Sequence, residues 1–385
     1  MTQLIGRVCD LDKLKETQDL EVGMDFRKVE YRREVFLRFY EFHLKYNAHP
    51  GGVYLAFPWL AKNFNMTTEQ KLWLAFINGC SQNIVTSWFI YNQFPVLQDV
   101  DITKLNDWWN ANYQKFKAGS GWDSDRKYFK IGKNGFPQCV EKYQKIVKEH
   151  GNSQESLFLS LTEGKTQFEA FNSTWEFVRA NFLTFGRLSA FSYLEYLRLQ
   201  NVPIECDNLF LEDVSGSKSH RNGLCKVLGR DDLDWHDGSN PNFPGYEPHV
   251  IDWLKREGKL LLDEAFKRDL GKDVSYFTLE STFCCYKSWH RPNRRYPNVY
   301  MDMFHNRIKY AEDEWGKNFD IFWEMRKDGL PKQLRLEDNP NDPGLSKPKQ
   351  NHYRETGQVI LMDLDWDCFE NNFNKQQNYE GFFHV

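Results

Sequence analysis

Large aromatic side chains repeated at helical spacing set the strongest limit on how this chain folds. Phe168, Phe171, Trp175, Val178 and Phe182 follow one another at three- or four-residue steps, which places them on one face of a helix. Val35, Phe36, Phe39, Phe42, His43 and Tyr46 do the same over residues 28–46, and Leu105, Trp108, Trp109, Asn112 and Phe116 repeat the pattern further on. With aromatics at 16% of the chain, such faces cannot stay in water, so disorder is excluded. At 385 residues the chain can enclose a large core, in one domain or two.

The spacing predicts a mainly α fold with few short strands. Helices are expected over residues 28–46, 69–91, 138–149, 154–162, 166–182, 186–200, 248–268, 276–289, 298–315 and 320–327. Thr67 with Gln70 forms a capping-box pattern ahead of the second of these. That helix is apolar almost all round, which marks it as central. His49-Pro50-Gly51-Gly52 and Gly119-Ser120-Gly121 break the chain, and polar stretches at 122–135 and 236–245 are loops or, for the first, a short hairpin. Residues 331–357 carry four prolines and little apolar content, so an extended or mobile tail is expected, with 359–362 a strand or helix pinning it. These changes divide the chain into an N-terminal helical lobe (1–200), a second, basic helical lobe (201–330) and the tail (331–385). A single domain is the alternative.

Several classes fall away. No apolar run reaches the roughly 18 residues of a membrane span, and the polar, acidic N-terminus does not read as a signal peptide. A cytoplasmic protein with no membrane partner is expected. None of the eight cysteines has C-x-x-C spacing, so neither zinc nor a redox dithiol is signalled. Gly164-Lys165-Thr166 lacks the upstream glycine of a P-loop, because position 159 is leucine. Asp363, Asp365 and Asp367 are read as a solvated acidic edge. No metal and no cofactor is called for.

The chemistry concentrates between Phe283 and Lys309. The whole chain has a net charge of −4, yet Lys287, Arg291, Arg294, Arg295, Arg307 and Lys309 face one acid there, Asp302. Tyr286, Trp289, Tyr296 and Tyr300 are interleaved with them. Guanidinium forks and aromatic faces suit phosphate plus a nucleobase. Charge runs are more often solvated helix faces, but Pro292 and Pro297 break this one around Arg294 and Arg295 and put them on a fixed turn. On the preceding helix Glu280, Cys284 and Lys287 share a face. Glu280 suits an amine or general-base role and Lys287 a phosphate; equally, Glu280 simply neutralises a nearby arginine. Cys284 is a remote candidate, its pair with Cys285 being read as packing.

Two further stretches suit anions. Leu211 to Gly229 reads as a short helix, a tight Ser215-Gly216 turn and a second helix with Ser217 near its N-cap and Lys218 outward. This is the layout of a helix–hairpin–helix that holds phosphate on backbone amides, although Asp213 and Ser215 stand where glycine is common. A plain turn with a serine cap fits equally well. Arg187 follows Gly186 at a helix start, a position suited to an anion. A structural network with Glu195 is the stronger reading of that arginine.

The segments LESTFCCYKSW, RPNRRYPNVYMDMFHNR, TFGRLSAFSYLEYLR and LEDVSGSKSHRNGLC together resemble the phage amino acid:DNA transferases. These are also described as α-glutamyl/putrescinyl-thymine pyrophosphorylases, distant relatives of helix–hairpin–helix DNA glycosylases. The resemblance spans about residues 183–307. It implies a glycosylase-like helical fold and a DNA substrate bearing 5-hydroxymethyluracil activated as a (pyro)phosphate ester. An amine from an amino acid or polyamine would displace the phosphate and form a C–N bond. Chemistry then assigns expected roles. Arg294 and Arg295, supported by Lys287, neutralise the leaving phosphate. Glu280 or Asp302 binds the ammonium and takes its proton. Tyr286, Tyr296 and Tyr300 stack the extruded base. Arg187, Ser215, Gly216, Ser217, Lys218 and Arg307 contact DNA. The rival readings are a glycosylase using Asp234 and a non-catalytic nucleic-acid binder.

Overall fold

The computed structural model describes residues 29–117, 134–212, 219–233, 247–289, 299–330 and 335. Fourteen α-helices occur among them and no strand, so the fold is mainly α, without even the few short strands expected. No helix among the described residues is long and apolar enough to cross a membrane. The expected features at 122–133, 236–245, 336–357 and 359–362 lie outside the described residues.

The first helix, α1 (Val29–Tyr46), buries the aromatic face read from its spacing, with Phe36, Phe39 and Phe42 essentially unexposed. The turn Pro50–Gly52 follows, and Gly51 and Gly52 both take positive φ, which glycine adopts without strain. It leads into α2 (Val53–Asn63), a helix the sequence reading did not anticipate. The Pro-Gly-Gly run and the internal Pro58 look like breakers; Pro58 is the sixth residue of the helix and removes the N–H that would otherwise bond Tyr54 O.

The helix expected over 69–91 is two helices, α3 (Thr68–Ser81) and α4 (Ile84–Gln93). Thr67 and Gln70 do form the capping box. The break comes at Gln82, which is left-handed at φ 51° and donates its N–H to Asn78 O at 2.7 Å. Asn83 then caps α4 through Val85 N at 3.2 Å. Ser81 Oγ and Ser87 Oγ, 2.6 Å apart, offer the backbone local partners at this point, the competition that makes such residues terminate helices.

Next come α5 (Ile102–Lys117), α6 (Phe136–Glu149), α7 (Gln154–Thr162), α8 (Gln167–Asn181) and α9 (Arg187–Leu199). α8 opens on a second capping box, Thr166 with Glu169. After an irregular stretch through 202–210 come α10 (Ser219–Val227), α11 (Pro248–Lys267), α12 (Tyr276–Trp289), α13 (Val299–Trp315) and α14 (Asp320–Gly329).

Two close contacts position the site. α10 lies against α12 with Gly223 directly on the backbone of Phe283. α9 lies against α3, where Gly79 admits the rings of Tyr193 and Phe185. α1 closes over α12: Phe36 stacks on Phe283 with ring centroids 4.6 Å apart and meets Tyr286 edge-on at 5.5 Å. Buried side chains from both sides of Asn201 form one continuous cluster.

Candidate active site

The N-terminal half of α12 carries a carboxylate into the interior. Glu280 is buried, and its Oε1 accepts from Arg187 Nη1 at 3.1 Å. The Arg187 side chain is fully enclosed and also donates from Nη2 to Leu209 O at 3.3 Å. α9 begins at Arg187, which is why this guanidinium reaches one turn into α12. The sequence reading paired Arg187 with Glu195. The structure pairs it with Glu280 instead, 93 positions away, and gives Glu195 to Tyr54, whose hydroxyl donates to Glu195 Oε1 at 2.9 Å.

His220, enclosed at the start of α10, completes the group. Its Nε2 lies 2.9 Å from Leu209 O, an acceptor, and 3.1 Å from Arg187 Nη2, a donor, so the two contacts favour opposite tautomers. Nδ1 lies 3.3 Å from Glu280 Oε1 but off the line that a hydrogen bond needs, so the contact is electrostatic. Burial, then Arg187 and Arg221, hold the ring well below the ordinary histidine range, and it is neutral.

The two carboxyl groups are pushed in the same direction by burial and separated by their partners. Burial raises Glu280, and Arg187 opposes it by charge and hydrogen bonding. Burial raises Glu195 to about 8; the Tyr54 hydroxyl opposes the rise, the nearby charge of Glu280 adds to it and Arg198 opposes it. Glu195 is therefore mostly protonated at neutral pH while Glu280 faces a cation, a division of states that suits acid–base work. A stability test follows. The unfolded chain ionises this glutamate near 4.5 and the folded chain near 8. The folded state therefore holds the extra proton between those values, and stability contributed by the neutral form is lost as pH rises across that window. Urea unfolding of the native chain between pH 5 and 8 should show that decline, and Glu195→Gln should flatten it. An identical slope in both would remove the assignment.

The structure places the other expected residues as follows. Lys287 lies on α12 seven residues beyond Glu280, about 10 Å along the axis at 1.5 Å per residue, and is buried. Cys284, between them, is half-buried. Arg307, on α13, is also buried and donates from Nη1 to Gln82 O at 3.3 Å, at the break between α3 and α4. Tyr286 is fully enclosed against Phe36 and Phe39; such a ring offers no face to a base, so packing replaces the stacking role. Tyr300 and Asp302 lie in the first turn of α13. Arg294, Arg295, Tyr296, Ser215, Gly216, Ser217, Lys218 and Asp234 lie outside the described residues.

Sequence reasoning missed His220, Tyr54 and His49. His49 sits on the other side of α12, its Nδ1 3.2 Å from Ser281 Oγ and its ring 4.5 Å from that of Tyr54; burial lowers it to about 3. A single histidine carries no spacing signal, and only the helix packing brings these residues together.

Comparison with known proteins bears on this arrangement. A family model described as amino acid:DNA transferase matches residues 57–295. That span takes in Arg187, His220, Glu280, Lys287, Arg294 and Arg295, and ends within the basic segment. A serinyltransferase of Salmonella phage ViI is 30% identical over 306 residues, covering 75% of this chain and 71% of the relative. No solved structure matches.

Proposed function

The chain belongs to the amino acid:DNA transferase family, a transferase acting on DNA, and on that premise we propose that it builds a C–N bond on a modified pyrimidine. The substrate is a 5-hydroxymethyluracil whose hydroxyl has been converted to a (pyro)phosphate ester. The neutral amine of the donor attacks the methylene carbon, the C–O bond breaks, and (pyro)phosphate leaves with the bonding electrons. The new ammonium then gives up a proton.

The observation that carries the reading is the family match over residues 57–295, a span that holds the buried Arg187–Glu280 pair and, in sequence, the arginines Arg294 and Arg295. Arg294 and Arg295 take up the charge of the departing phosphate, the largest charge that develops, with Lys287 in support. Glu280, or Asp302 on α13, draws off the amine proton, since only the neutral nitrogen attacks. Ser215, Gly216, Ser217 and Lys218 hold the DNA backbone and Tyr296 and Tyr300 the extruded base.

The glycosylase alternative needs a free carboxylate after α10. Asp231 is bound to Arg32 and Lys226, each at 3.0 Å, and Asp232 to Arg230 at 2.7 Å, so the burden falls on Asp234. The test combines the protein with DNA carrying the phosphorylated hydroxymethyl base and a panel of amino acids and polyamines, followed by digestion and weighing of the nucleosides. A mass change equal to the donor minus the released phosphoric or pyrophosphoric acid is expected, retained in Asp234→Asn and abolished in Arg294→Ala. Release of free base, or unchanged masses with every donor, would dispose of the transfer.

A further inference from the structure

A cavity of about 630 Å³ lies beside the buried cluster, walled by the C-terminal end of α9, the stretch 201–205, α2 and the turn before α12. Its charged lining is Arg198, Lys272, Glu205 and Asp273, with Tyr54 and Pro203 among the other walls. Two cations and two anions in one cavity make a neutral, divided surface and not a field of one sign.

Arg198 is built into this wall in a particular way. Its Nε donates to Glu205 Oε2 at 2.8 Å, and its guanidinium lies over the ring of Phe277 at 5.9 Å. The side chain is thereby held while both Nη groups, which make no hydrogen bond among the described residues, are left over. An anchored guanidinium with a spare pair of N–H groups is a carboxylate fork. Lys272 is exposed and Asp273 half-buried. Among the described residues the Lys272 ammonium has no ion pair and the Asp273 carboxylate no hydrogen-bond donor. Tyr54, on the inner wall, connects the cavity to Glu195 through its hydroxyl.

We propose that this cavity seats the amine donor as a zwitterionic α-amino acid, its carboxylate on the Arg198 fork beside Lys272 and its ammonium toward Asp273 and the Tyr54 oxygen. This rests on the transfer reading above and adds to it the donor's location and class. A polyamine brings no carboxylate to the Arg198 Nη groups and forgoes the contact that would select the donor. The donor nitrogen is left on the side of the cavity walled by Tyr54, whose hydroxyl bonds the buried Glu195.

Calorimetric titration of the full chain, without DNA, tests this with L-serine, glycine and putrescine as probes. L-serine and glycine should bind at one site per chain, and putrescine at the same concentrations should not. Lys272→Glu changes an exposed residue and should weaken L-serine about tenfold or more. Arg198→Lys keeps the charge but loses the fork, and should weaken it further. Unchanged L-serine affinity in both variants, absence of amino acid binding, or putrescine binding as tightly as L-serine would overturn the assignment. The two readings fail separately. Amino acid incorporated into DNA by a protein whose donor binding ignores both variants leaves transfer standing and removes the cavity. Donor binding that obeys the variants, with no product on DNA from any donor, does the reverse.

Discussion

Glu280→Ala should cost about 3–5 kcal/mol of folding stability, because it leaves the Arg187 guanidinium enclosed without its counter-charge. The effect belongs to the pair and not to the glutamate alone. Arg187 is fully enclosed and its Nη1 has Glu280 as its partner at 3.1 Å, so truncation exposes no water to take the place of the carboxylate. The double variant Arg187→Met/Glu280→Leu fills the same volume with apolar groups and should regain most of the loss. Transfer activity separates structure from chemistry. If Glu280 draws the proton from the amine, the double variant stays slower by about a hundred- to ten-thousandfold despite its recovered stability. If the pair only holds α9 to α12, activity returns with stability. Urea denaturation and initial rates on the same preparations decide between the two.

Gly223→Ala should be the most damaging single-atom change in the described fold, at about 3 kcal/mol or more. A Cβ there would overlap the carbonyl oxygen of Phe283 and lie 2.6 Å from its carbonyl carbon. Both atoms are backbone of α12, so no rotamer change relieves the contact and the helices must separate. Separation would move His220, three residues earlier on α10, away from Glu280. A loss of transfer should therefore accompany the loss of stability. Gly186→Ala is the control: a Cβ there meets nothing within 4 Å, and the change at this N-cap should cost no more than about 1 kcal/mol. Equal melting temperatures for the two variants would mean that α10 and α12 do not pack as described.

The aromatic spacing made most of the helices legible, because a Phe or Trp every three or four residues leaves the chain no other way to hide them. The helix faces through Phe171, Trp175 and Val178 or Phe36 and Phe39 are buried as read, whereas Phe168, expected on the first of these faces, is exposed. Boundaries set by short polar side chains were harder to see. Asn78, Gly79, Ser81 and Asn83 interrupt an apolar stretch that contains no proline, and only the hydrogen bonds show that the helix passes Gly79 and stops at Gln82. The site was legible in part. The stripe on α12 marked Glu280, and the helix start marked Arg187, but each offered several partners along the sequence. Which one Arg187 takes depends on how α9 crosses α12, a tertiary fact that periodicity does not carry. Tyr286 shows the same limit: next to the cations it reads as a stacking ring, whereas the closing of α1 over α12 makes it core.

The proposed reaction breaks the bond between the methylene carbon and the ester oxygen. DNA whose hydroxymethyl oxygen carries a heavy-oxygen label tests it directly, with L-serine as donor and mass spectrometry of both products. The label should depart with the released (pyro)phosphate, and the nucleoside should gain the amino acid in its place. Label retained on the nucleoside, with unlabelled phosphate released, would mean attack at phosphorus and would contradict the proposed reaction.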